Sequence, residues 1–162
     1  GITLFNLPLE EILFFITVPY ACVFIYECFK VYGVNFFSEK LATYLLYALV
    51  PVLFILAYFN THQLYTSITF SSTAFLLVLH IAAFKARYLG WFFTTYLVHL
   101  IPFFIVNGVL TSLPVVIYND AQNFGVRLFS IPVEDTIYSM LLLVLNITIY
   151  EGLQQWRGRG KA

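Results

Sequence analysis

The sequence predicts an all-α protein, a polytopic transmembrane helical bundle with five spans and a parallel internal repeat. Three observations carry this expectation. Of 162 residues, 61% are hydrophobic and only 10% charged, against about 25% charged in an ordinary soluble domain, and the mean hydropathy is +0.88. Five apolar stretches are each long enough to cross about 30 Å of hydrocarbon at about 1.5 Å per helical residue. The first 27 residues also return, without a gap, at an offset of 124. These features exclude a soluble globule and a disordered segment. A formal net charge of zero leaves nothing to attract a polyanion, so no nucleic-acid partner is expected.

The spans are placed at Pro8–Phe29, Leu41–Phe59, Leu64–Phe84, Leu89–Leu110 and Pro132–Leu153. Pro51 and Pro102 should kink the second and fourth. The third is the weakest by composition, because Thr66 to Thr73 is rich in Ser and Thr. The basic residues supply the missing support. With five crossings, Lys30, Lys40, Lys85, Arg87, Arg157, Arg159 and Lys161 share one side and only Arg127 lies on the other. The positive-inside rule then places the C-terminus in the cytoplasm and the starts of the first and last spans at the opposite face. If the third span did not cross, this asymmetry would collapse.

The repeat pairs residues 1–27 with 125–151. Leu7-Pro8-Leu9-Glu10-Glu11 returns as Ile131-Pro132-Val133-Glu134-Asp135, Phe14 as Tyr138, and Ile25-Tyr26-Glu27 as Ile149-Tyr150-Glu151. A direct repeat needs its two helices parallel, which five crossings provide. Residues 1–29 are therefore read as the last helix of a first repeat. Residues 30–62 form a linker helix and loop, and 63–162 a second three-helix repeat with a basic tail. On this reading about two further helices are expected upstream, giving about seven spans in the complete protein. Asn6 and Ser130 are candidate N-caps, and Pro8 and Pro132 suit a first helical turn.

The acid pairs carry the chemistry. Glu10, Glu11, Glu134 and Asp135 fall at one membrane depth, and four carboxyls under an apolar roof cannot all ionise cheaply. A carboxylic acid beside a carboxylate is the expected outcome, that is, a general acid with a counter-ion next to lipid. Glu10 and Glu134 are expected to face inward, with Glu11 and Asp135 in support. Asn107 lies at the same depth and is expected to hydrogen-bond one of the acids. His80 and His99 are read as helix–helix hydrogen-bonding residues, and His62 lies in the turn on the acidic side. Glu27 and Glu151, at the opposite ends of their helices, are read as solvated residues paired with Lys30 or Arg157. Cys22 and Cys28 read as small thiols rather than a disulfide or metal site. No phosphate-binding loop, dinucleotide fingerprint or strand is expected, and neither a cofactor nor a metal is implied.

At Pro8-Leu9-Glu10-Glu11 and Pro132-Val133-Glu134-Asp135, closed by Tyr26-Glu27 and Tyr150-Glu151, the chain resembles the integral-membrane lycopene cyclases of bacteria, archaea and fungi. Val106 to Thr111 and Pro114 to Asn119 share the likeness. The resemblance implies a redox-neutral isomerase of carotenoid biosynthesis that cyclises the ends of lycopene, usually to β-ionone rings, giving β-carotene. Protonating the terminal alkene creates a tertiary carbocation, an internal double bond attacks it, and loss of a proton completes the ring. The acid pairs would supply donor and base. Phe14 and Tyr138 would stabilise the cation through their ring faces by about 0.5–2 kcal/mol each. The expected partners are lycopene, membrane lipid, and other carotenoid enzymes or a second copy of the chain. A small transporter or proton-coupled channel is the alternative, and it requires a polar stripe across the bilayer.

Overall fold

The computed structural model describes residues 3–4, 7–85, 87–113, 116, 118–119 and 121–159, without the side chains at 3, 4, 7, 10, 11, 158 and 159. Five helices dominate it: α1 (Leu9–Tyr32), α2 (Glu39–Phe59), α3 (Leu64–Phe84), α4 (Leu89–Ser112) and α5 (Val133–Arg159). All five are long and apolar enough to cross a membrane. The protein is an integral membrane helical bundle, and the Ser/Thr-rich third segment is one of its spans. Pro19, Pro51 and Pro102 lie inside α1, α2 and α4 without ending them.

The helix ends follow local chemistry. Gly33 closes α1 at φ 68°, where a glycine meets no steric penalty. Its N–H bonds Lys30 O, and the Val34 N–H bonds Phe29 O. Ser38 caps α2 by accepting the Leu41 N–H at 3.3 Å. Gly90, in the first turn of α4, lies so close to the α1–α2 turn that a Cβ there would be 2.5 Å from Phe37 O.

The polar half of α3 has a physical reason. Thr66, Thr69 and Thr73 are all buried, and helical spacing puts them on one face. Thr73 bonds Thr69 O at 2.7 Å and also approaches Ile137 O of α5 at 3.4 Å. Further along, His80 Nδ1 and Thr148 Oγ1 lie 2.8 Å apart and join the same two helices. In lipid, where apolar burial does not favour one helix contact over another, such bonds and close packing fix which faces meet. The rest of the core is apolar and includes Leu46, Leu53, Ala74, Leu77, Phe92, Leu143 and Ile147.

Two short antiparallel hairpins precede the repeated helices, where no strand was expected. β1 (Thr3–Leu4) pairs with β2 (Leu7–Pro8), and β3 (Arg127–Leu128) with β4 (Ile131–Pro132). Their registers, Thr3↔Pro8 and Arg127↔Pro132, differ by the same offset of 124 as the sequence repeat. Because β4 runs to Pro132, α5 begins one residue later. Ser130 sits in the hairpin turn rather than at a helix start, and its hydroxyl meets Thr111 Oγ1 at 2.5 Å. Asn6 lies outside the described residues.

The helices alternate in direction. The end of α1 meets the end of α5 through Tyr26 and Glu151, and it meets the start of α4 through Lys30 and Tyr88. At the other end of the bundle, the connection between α4 and α5 closes over α3. Gln122 accepts the otherwise orphaned N–H groups of Leu64 and Tyr65, which lie at a helix start that lacks its own side-chain cap.

Candidate active site

The acid residues of α5 are held by this arrangement. Glu134 is fully buried: its Oε1 accepts the Thr66 hydroxyl at 2.5 Å and the Phe124 backbone N–H. Its Oε2 is buried and has no hydrogen-bond partner among the described residues. Asp135 is 6% exposed. The Tyr65 hydroxyl donates to its Oδ1 at 2.5 Å, and the Tyr118 hydroxyl donates to its Oδ2. The two phenol rings lie against each other with centroids 6.3 Å apart.

Asp135 opens onto a cavity of about 560 Å³ between α1, α4 and α5. Tyr65, Tyr118 and Asn107 share the acid end of this cavity, and its walls are mostly apolar, including Phe14, Val18, Phe103 and Leu110. Along α1 it runs from Phe14 to Ile25, about 16 Å of helix. Phe14, Val106 and Tyr138 line it and are also exposed on the outside of the bundle. It therefore opens sideways, toward hydrocarbon when the helices span a bilayer.

The side chain that faces this space is Asp135, whereas Glu134 points into the α3 contact. Glu134 is buried inward as expected, but against α3, and it is Asp135, expected in support, that lines the cavity. The two residues sit about 100° apart around the helix, and the hairpin before α5 sets which one meets the cavity. The side chains of Glu10 and Glu11 lie outside the described residues, and the backbone of α1 places them in the first turn of a helix that walls the same cavity. Phe14 and Tyr138 both line it. Asn107 lines it too, but its side chain bonds neither Glu134 nor Asp135. Its backbone carbonyl accepts the Thr111 hydroxyl.

Three residues of the site escaped the sequence reading. Thr66 opens the polar stretch that looked like a weakness of the third span, and Tyr65 immediately precedes it. Tyr118 lies in the α4–α5 connection, outside the five spans. Burial, and then its hydrogen bond to Asp135, raise the Tyr118 phenol above its ordinary value of about 10, so it stays protonated at neutral pH.

The opposite end of the bundle holds a second charged cluster. Glu151 is 2% exposed rather than solvated. Its Oε1 accepts both the Tyr26 hydroxyl and Lys30 Nζ, each at 2.6 Å, and Lys30 also lies 2.9 Å from Glu27. The pairing with Lys30 is as expected. The burial arises because α1 and α5 pack together at this end.

A model of the family described as lycopene cyclase matches residues 1–29 and 62–153, most of the chain. The chain belongs to the lycopene cyclase family. Comparison with curated proteins and with solved structures gives no match. Membership makes the chain a membrane enzyme of the cyclase/isomerase kind in carotenoid biosynthesis, with a carotenoid such as lycopene as its substrate. A lycopene cyclase works on a hydrocarbon that stays in the bilayer, and the sideways opening of the apolar cavity suits such a substrate.

Proposed function

We propose that this chain cyclises the end groups of lycopene to β-ionone rings, giving β-carotene, with Asp135 as the acid that meets the substrate. One observation carries the reading: a buried carboxyl, held by two phenols, lines a mostly apolar cavity open to lipid. Each carboxyl oxygen accepts one phenol and keeps a second lone-pair direction. In its protonated form Asp135 transfers a proton to the terminal alkene. A C–H bond forms as the π bond breaks, leaving a tertiary cation. The internal double bond closes the ring, and the adjacent carbon returns a proton to a carboxylate. Phe14 and Tyr138 offer ring faces to the cation, and the apolar walls keep out water that would trap it. Glu10 and Glu11 complete the acid/base set from α1, and Glu134 stabilises the site from behind. Neither electrons nor a cofactor are required.

A conduit for protons or solutes is less well supported. Between Asp135 and Glu151, the polar residues Thr136, Ser139, Asn146 and Thr148 of α5 each bond a backbone carbonyl three or four residues back, and the buried apolar residues Met140, Leu143, Val144 and Ile147 lie among them, so α5 carries separate, locally satisfied polar groups rather than a continuous stripe. For sidedness, Lys30, Lys40, Lys85, Arg87 and Arg157 gather at one end of the bundle, and we assign that end to the cytoplasm.

The test is expression in a bacterium that accumulates lycopene, with pigments separated by chromatography. Red cells should turn yellow-orange with the native chain and stay red with Asp135→Asn. Loss of the proton donor should reduce ring formation by about 100-fold or more. Red cells with the native, membrane-inserted chain would overturn the reading.

A further inference from the structure

We propose that Tyr118 is the residue through which Asp135 exchanges its proton with water, which makes it a positioning and relay residue for the cyclisation. The inference rests on the cyclase reading of the same cavity. Both tyrosines bond Asp135, but their places differ. Tyr65 is the second residue of α3, inside a span. Tyr118 lies outside every span, is only partly buried, and is followed by the exposed Asn119. Its hydroxyl bonds Asp135 and the residue lines the cavity, while its partial exposure leaves it open toward the end of the bundle. The other charged groups acting on this pair are Glu134, buried behind Asp135, and Arg127, whose charge bears on both Tyr118 and Asp135.

Each turnover is proton-neutral. Asp135 delivers one proton to the alkene, and one proton leaves a ring carbon for a carboxylate, so no net proton is consumed. The returning hydrogen comes from the substrate carbon skeleton. Unless the acid exchanges with solvent before the next turnover, that same hydrogen is placed in the next ring. Tyr118 can perform the exchange by giving its hydroxyl proton to Asp135 Oδ2 while the same phenol oxygen takes the acid's proton, after which that hydroxyl, the side chain's one exchangeable group, swaps the proton with water reaching it at the end of the bundle. No charge is left behind in the site.

Membranes carrying the chain are supplied with lycopene in heavy water, and deuterium in the rings is read by mass spectrometry. Native protein should place one solvent deuterium in each ring. Tyr118→Phe should yield a several-fold rise in unlabelled rings among those made after the first turnover. Tyr65→Phe, which removes the other phenol from Asp135 and leaves the outer one, should keep each ring labelled even if the rate falls. Tyr118→His, which restores an exchangeable N–H, should bring the label back. Fully labelled rings from Tyr118→Phe at every turnover would overturn the relay and leave the cyclase reading intact. Native protein that makes no rings, or only unlabelled rings, would instead defeat the acid reading itself. If Tyr118→Phe forms no rings, Tyr118→His decides: labelled rings support the relay, and their absence from both variants overturns it.

Discussion

Asp135 and Glu134 are adjacent carboxyls with different neighbours, and their substitutions should separate. Glu134 Oε1 is held by one hydroxyl and one backbone N–H. Thr66→Val leaves that buried oxygen one donor short and should destabilise the protein by about 1–3 kcal/mol, read as a lower melting temperature in detergent. Ring formation per folded molecule should change little. Tyr118 gives a pH test with a definite sign. Its folded-state value lies above the ordinary one, so its contribution to stability is fully present below about pH 10 and is lost as pH rises beyond that. An alkaline titration of phenolate absorbance should show one fewer tyrosine ionising above its ordinary range in Tyr118→Phe than in the native protein. The acids were legible in the sequence because they occur twice after the same proline. Tyr65, Thr66 and Tyr118 were not, because Tyr65 and Thr66 meet the acids only when α3 packs on α5 and Tyr118 only when the α4–α5 connection folds back over that end, and no residue spacing encodes either contact.

At the scale of elements, α1 and α5 are clamped at one end by Tyr26, Lys30 and Glu151. Removing one member of a buried ion pair leaves the other uncompensated. Lys30→Met should therefore cost about 3–5 kcal/mol, and Lys30→Met combined with Glu151→Gln should cost less than the single change. Thermal melting of the three proteins checks the order. Gly90→Ala should also destabilise, by about 1–3 kcal/mol, since backbone at Phe37 occupies the space its Cβ needs. The five helices were readable from hydropathy, and the third was rescued by charge asymmetry. The Ser/Thr content that weakened it is what α3 uses to meet α5. The hairpins could not be read, because two residues per strand are too few to show alternation.

For the whole molecule, alternation of the helices separates two unlike ends, one basic and one carrying the acid pairs with Arg127. With the native cysteines replaced, a cysteine at Gln122 should react with an impermeant reagent from outside the cell, and one at Lys85 only after the membrane is opened. The reverse pattern would invert the assigned orientation. The connection between α4 and α5 joins these scales. Through Gln122, Phe124 and Tyr118 it holds the start of α3, Glu134 and Asp135 at once. Tyr65 and Thr66 bond the same two acids from α3, so the connection and the two helix starts form one hydrogen-bonded unit that should let go as a group. On gentle warming, catalysis should therefore fail several degrees before circular dichroism reports any loss of helix. An enzyme could then be switched off by the loosening of one irregular stretch while every membrane-crossing segment still stood in place.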